Sequence, residues 1–437
     1  MVKTQKGVKP PFAFCDVNLR DVNERKKWFD PFLRFGYRDL SRDIVARARQ
    51  EIKRGFMGIR EDFLKLAAEI GPRGACTPGE AKAAQYIRER FEGRGLDATV
   101  QQFSTITTYS YLYVIYLGIA AACGYLSKWF PYYVAPIAIV IAVLFALDLE
   151  TFGVVSRVLP HRVSRNVIAE TPSESGKVNM VVVAHYDSAR AALSFHPRLV
   201  GNFRLSFSMM ISGIFATGLL ALANLIVQAA TGHTNLGVWI ASAVVSTYLL
   251  FPLFIMLHRE AVMDYTPGAN DNASGVAGML ALMDKVSEEE FGGVMFVATG
   301  AEEVGTAGMI AFLKENGERL KDALIVNLDN LGTGHVCYID CEGMLLGHKS
   351  SPVLLWLASQ VMEKKKFPIW RTGYRLLSTD ATPALARGYQ AMSVMAFDDE
   401  GKLPNWHWET DTVDRIEMEN IEAVRGFLWN LARKIEP

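Results

Sequence analysis

Seven side chains of this sequence have the types needed for joint chemistry: His185 and Asp187 in AHYDS, Asp271 in GANDNASG, Glu302 and Glu303 in GAEEVGTAG, Asp329 in NLDNLG and His407 in HWETDT. Imidazole and carboxylate groups together suit zinc. Taken singly, each fragment has an ordinary explanation. A lone His is more often a satisfied core or surface residue, a Glu pair a solvated helix face, and an Asp ahead of a helix an N-cap. Their force comes from position. The runs 178–184, 294–299, 323–328 and 392–397 are short, apolar, rich in Val or Ile and bounded by polar or Gly residues, which predicts strands buried on both faces. Helical segments lie between them at 274–286 and 306–316. This alternation predicts an α/β fold, a mainly parallel central sheet with helices on both faces, whose ligands gather beyond the carboxyl ends of the strands. His185, the Glu302–Glu303 pair and Asp329 follow the first three runs, and His407 lies beyond the fourth.

In this order the fragments resemble the co-catalytic two-zinc aminopeptidases of the aminopeptidase Y and bacterial leucyl aminopeptidase type, metallopeptidase family twenty-eight. Segment 61–103 is similar to that family's opening helices, and the resemblance covers about three fifths of the chain. It implies a zinc-exopeptidase-like fold, a peptide substrate and two zinc ions, manganese and cobalt being metals the same donors also accept. The ligands of the two separate metals are then His185 and Asp329 or Glu303 and His407, with Asp271 bridging. Two metals ~3.5–4 Å apart need a carboxylate between them, and a short Asp held by a turn can supply it. Glu302 and Glu303 are adjacent and point differently, so one can bind metal while the other carries the proton from water to the leaving amine. By resemblance Glu302 is the base and Glu303 the ligand. Asp187, two residues from His185 on an extended backbone, shares its side and can orient the imidazole. The family often shows Ser-Asp-His before the last strand, where this chain has Ser378-Thr379-Asp380-Ala381. Tyr374 is a candidate hydroxyl for the oxyanion, and Trp406 and Trp408 flank His407 as candidate pocket walls.

The elements that carry these residues are interrupted by long apolar stretches. Residues 98–127, 129–147 and 205–258 carry no charged side chain, the last broken only by the polar turn Gly232-His233-Thr234-Asn235. These lengths predict four membrane-crossing helices near 107–126, 130–148, 207–229 and 236–257, arranged as two hairpins. Pro131 and Pro136 count against the second. Arg157, Arg162, Arg165, Arg190, Arg198, Arg204 and Arg259 lie at the hairpin bases, whereas Lys128 is the only charge in a tip. The positive-inside rule then puts the catalytic domain of a multi-pass membrane protein on the cytoplasmic side.

The chain divides accordingly into an N-terminal helical preface (1–57), three peptidase parts (58–106, 149–206 and 258–437) and two transmembrane hairpins (107–148 and 207–257). The second hairpin separates His185 from Asp271 by short tethers, which predicts an active site close to the bilayer; the hairpins then either suit it to a membrane-associated peptide substrate or serve only as an anchor. The opening MVKTQKGVKPPF lacks a signal peptide's apolar core, and five cysteines with no CxxC pair suit a reducing compartment. A composition of 50% hydrophobic and 21% charged residues excludes a disordered chain. Forty-six basic residues balance 46 acidic ones, so no net field draws nucleic acid. Two other readings share the fold: a single-zinc glutaminyl cyclase, and a non-catalytic membrane receptor or scaffold that has lost its metals. Intact ligand positions favour hydrolysis over both.

Overall fold

The computed structural model describes residues 57–365 and 367–435; most of the preface read at 1–57 lies outside them. The strands of the main sheet are β1 (Thr99–Thr105), β2 (Arg162–Glu170), β3 (Met180–His185), β4 (Val294–Thr299), β5 (Leu324–Leu328), β6 (His335–Ile339), β7 (Ile369–Thr372) and β8 (Gln390–Phe397), in the order β1-β2-β4-β3-β5-β8-β6-β7. The four central strands β4-β3-β5-β8 are parallel, β1 and β2 join antiparallel on one side, and on the other β6 runs antiparallel to β8 and parallel to β7. Every residue of β3, β4 and β5 is buried. Alternate residues of β3 serve opposite faces. Val182 and Ala184 pack on the side of α6 (Gly275–Glu288), α8 (Pro352–Lys365), α10 (Met418–Ile435) and α1 (Pro78–Glu92). Val181 and Val183 pack with α7 (Ala307–Asn316) and α9 (Ala381–Ala386). The four runs expected to be strands are β3, β4, β5 and β8, and all four point the same way, which puts their carboxyl ends along one edge.

The apolar stretches form four helices: α2 (Ser110–Leu126), α3 (Pro131–Leu149), α4 (Phe203–Thr231) and α5 (Leu236–Val262). Three of them, α3, α4 and α5, are long and apolar enough to cross a membrane; α2, at 17 residues, is shorter. It begins three residues later than its composition predicts because the Thr108 hydroxyl accepts from the Ser110 amide and donates to Glu260 at the far end of α5. Pro131 takes the first helical position, where an amide hydrogen would have no partner in any case, and Pro136 is accommodated inside α3. The helices pack through small residues. A side chain added at Gly124 of α2 would meet the Ser246 hydroxyl of α5 at 2.0 Å, the close approach that lets helices associate without a hydrophobic driving force. Their outer faces stay apolar: Leu219, Ile226, Val244 and Phe254 are all exposed.

One buried cation ties the opening segment to the sheet edge. Arg73 is fully buried and donates to the carbonyls of Tyr186, Leu66, Gly71, Pro267 and Gly268 at 2.7–2.9 Å. Burial lowers its pKa to about 10, which leaves it charged at neutral pH. Arg73→Met would keep much of the volume and strand five carbonyls. A loss of at least about 3 kcal/mol is expected, read as a lower midpoint of thermal unfolding in detergent.

Candidate active site

Asp271 is held from two sides. Gly268 opens its turn at φ +63°, and a Cβ there would lie 2.6 Å from both the Asp271 carbonyl and Ser188, so only glycine fits. On one side Arg73 grips the Pro267 and Gly268 carbonyls. On the other, the Asp411 carboxylate accepts from the amides of Asn270 (2.6 Å) and Asp271 (3.0 Å). Burial pushes Asp411 up to about 7, these two amides opposing it. The same turn is sewn to the end of β5: Asn272 donates to the Leu328 carbonyl and accepts from the Asn330 amide, and Asn270 donates to the Asn330 side chain.

The Asp271 carboxylate so positioned lies between two imidazoles. Its Oδ1 is 3.2 Å from His185 Nε2 and its Oδ2 is 3.0 Å from His407 Nε2. Asp329 Oδ1, at the end of β5, is 3.5 Å from His185 Nε2, and Glu303 Oε2 is 3.2 Å from His407 Nε2. Two three-residue groups therefore share Asp271: His185 with Asp329, and Glu303 with His407. Glu302 joins a third group with His185 and Glu303. All six are buried. Phe195 and Trp406 pack the His407 ring with centroids at 4.6 and 4.8 Å. Trp408 instead lies against His196.

Asp187 stands behind the cluster. Its carboxylate accepts from the Glu302 amide (3.0 Å) and the Glu303 amide (3.1 Å), so it sets the turn that aims both glutamates. Its carbonyl is 3.2 Å and its Oδ1 3.6 Å from His185 Nδ1. Glu80 supports the same turn by accepting from the Ala301 amide and the Ser164 hydroxyl. In the segment that departs from the family pattern, Asp380 is buried and accepts from the Thr299 hydroxyl at the end of β4, and Thr379 donates to Glu342 at 2.6 Å.

Burial raises the Glu342 carboxyl to about 7, against the pull of the Thr379 and Ser393 hydroxyls. A carboxyl whose folded pKa is raised stabilises the fold below its unfolded value near 4.5, and that contribution is lost as pH rises from there through about 7. Glu342→Gln is therefore expected to raise the unfolding temperature relative to the parent at pH 8, the advantage vanishing at pH 4.

Around the cluster the electrostatics are dominated by crowding. Burial drives Glu302 well above the usual glutamate range, with His185 pulling it back, and raises Glu303 against the opposing charge of His407. Burial also acts to raise Asp271, but hydrogen bonds from His185 and His407 outweigh it and hold that carboxyl low. Burial alone would depress both imidazoles, yet their carboxylate neighbours raise them well above normal. Glu303 Oε1 and His407 Nδ1 are buried with no hydrogen-bond partner. Two imidazoles and three carboxylates facing a common centre, with a buried carboxylate oxygen unpartnered, form a donor set that fits zinc.

The six residues line a cavity of about 300 Å³, and Tyr374 and Trp406 share its wall. Arg73, Asp411 and the Asn270–Asn272–Asn330 ties went unread in the sequence. Asp411 does stand in the HWETDT fragment, four residues after His407, and Asn330 directly follows Asp329, so adjacency to a candidate ligand was the available signal.

The fold is similar to that of a zinc aminopeptidase from Bacillus subtilis, with a TM-score of 0.51 and 15% identity over 87% of this chain and 94% of that one. An aminopeptidase from Aneurinibacillus sp. strain AM-1 gives 0.50 and 15% over 87% of this chain and 93% of that one. No curated protein matches the sequence. Residues 253–432 match the model of Peptidase family M28, a span that holds Asp271, Glu302, Glu303, Asp329 and His407 and leaves His185 outside it. Over those residues the chain is similar to Peptidase family M28, a likeness that supports a metallopeptidase hydrolase.

Proposed function

We propose that this protein is a membrane-embedded aminopeptidase that uses two zinc ions to remove N-terminal residues from peptides. The observation that carries the reading is Asp271, whose two oxygens each face a different imidazole at 3.2 and 3.0 Å. In this assignment His185 and Asp329 would hold one ion, Glu303 and His407 would hold the other, and Asp271 would serve both. Zinc bound there would polarise the scissile carbonyl and bring the pKa of water towards neutrality. Glu302 accepts the proton of the attacking water as the carbon–oxygen bond forms, then delivers it to the departing amine as the carbon–nitrogen bond breaks. Asp187 keeps Glu302 and Glu303 aimed through their amides and backs the His185 ring.

Membrane embedding is supported by the three long apolar helices and their exposed apolar faces. The tips carry an aromatic belt: Trp129 and Trp239 pack edge to face at 5.7 Å, with the Lys128 ammonium 4.8 Å from the Trp239 ring centre. Arginines crowd the opposite end, which by the positive-inside rule assigns the catalytic domain to the cytoplasmic side. Segments 58–106, 149–206 and 258–437 then form one peptidase unit around hairpins at 107–148 and 207–257.

Metal analysis of the detergent-purified protein is expected to give about two zinc ions per chain. Peptides with a free N-terminus should be cleaved, N-acetylated ones left intact, and activity lost on chelation. One metal per chain with cyclisation of N-terminal glutamine would instead make it a glutaminyl cyclase. Equal cleavage of N-acetylated peptides would remove the exopeptidase assignment.

A further inference from the structure

The cavity over the catalytic cluster does not end at the sheet edge. It continues among the four apolar helices, where Tyr113 of α2 and Phe145 of α3 form an inner wall and Met210 of α4 extends it. Phe145 and Met210 are buried. Toward α4 and α5 the character changes. Met209 and Phe251 line the same cavity and yet are 48% and 65% exposed, so they form a rim with one face on the cavity and the other on the outer surface of the bundle. Ser206, on the same rim, is exposed as well. All three lie inside the charge-free run 205–258. Phe251 stands eleven residues before the end of α5, about 16 Å along the helix. The opening therefore lies along the apolar length of the bundle, at the level that lipid chains would cover.

We infer that this opening between α4 and α5 is a lateral portal through which a membrane-embedded peptide reaches the catalytic centre directly from the bilayer. The inference rests on the peptidase reading above and names its substrate class: an apolar peptide whose free amino end lies within the base-side half of the membrane. Such a chain leads with its N-terminus towards His185 and Glu302 while its remaining residues stay among lipid tails. A water-borne peptide has no comparable reason to cross Met209 and Phe251, because its polar backbone would have to shed water at an apolar rim.

The test uses the full chain in phosphatidylcholine vesicles. One peptide carries a free N-terminus on a membrane-spanning apolar anchor, and the other is its first six residues alone. The parent protein is expected to favour the anchored peptide at least tenfold in kcat/KM, and Met209→Trp combined with Phe251→Trp should cut that ratio at least tenfold. A second measurement does not depend on turnover: Met209→p-benzoylphenylalanine, stripped of metal with a chelator, should photolabel the anchored peptide and spare the free one. An unchanged ratio, or labelling that ignores the anchor, overturns the portal. Selective labelling without any hydrolysis after zinc is restored would uphold the portal and refute the peptidase reading.

Discussion

Glu302→Gln is expected to slow peptide hydrolysis by about 10²–10⁴-fold, the usual contribution of a positioned general base, with no change in bound metal. The amide matches the carboxylate in shape, and the backbone bond from residue 302 to Asp187 does not involve the side chain, so the turn that aims Glu303 should survive. What disappears is the site for the proton. Burial raises the Glu302 carboxyl above the usual glutamate range, with the charge of His185 opposing it. Single-turnover rates and metal content measured on one preparation separate the outcomes. Retained turnover would take the base role from Glu302. Lost metal would make Glu302 a ligand, as its grouping with His185 and Glu303 also allows by distance.

Asp271→Asn should be harsher on metal and comparable on rate. The substitution keeps the backbone bonds to Asp411 but turns one of two oxygens into an amide nitrogen that donates rather than accepts. One of the imidazoles at 3.0 and 3.2 Å then faces a non-ligand. Bound zinc is expected to fall from two ions to one or fewer, with activity down at least about 10³-fold, since the metals supply several kcal/mol of charge stabilisation. Thermal unfolding gives an independent reading, because stabilisation by added zinc depends on binding to the folded state and should shrink in the variant. Full occupancy by two ions in Asp271→Asn would remove Asp271 from the bridging position.

The central strands were legible because β3, β4, β5 and β8 are buried on both faces and so read as unbroken apolar runs between polar boundaries. The candidate ligands were legible because a parallel sheet delivers its loops to one edge, and that edge is where His185, Glu303 and Asp329 stand. The flanks were not. His335–Ile339 and Ile369–Thr372 pair with each other and join the sheet through β8, a decision made by tertiary contacts that leave no local period. The start of α2 depends on a bond from Thr108 to Glu260, 152 residues away. Arg73 looks like a loop arginine among prolines and glycines until five carbonyls converge on it. The cavity wall is a product of how four helices lean together, and composition alone carries no record of a lean.

The place of α4 and α5 in the chain also sets the order in which the cluster comes together. His185 is synthesised before α4 and α5, Asp271 after them, and His407 later still. Until α4 and α5 have folded back on one another, His185 and Asp271 are held apart by the whole length of two helices. Packing of α4 against α5 is therefore a precondition for the cluster, since it is what returns the chain from the end of β3 to the turn that carries Asp271.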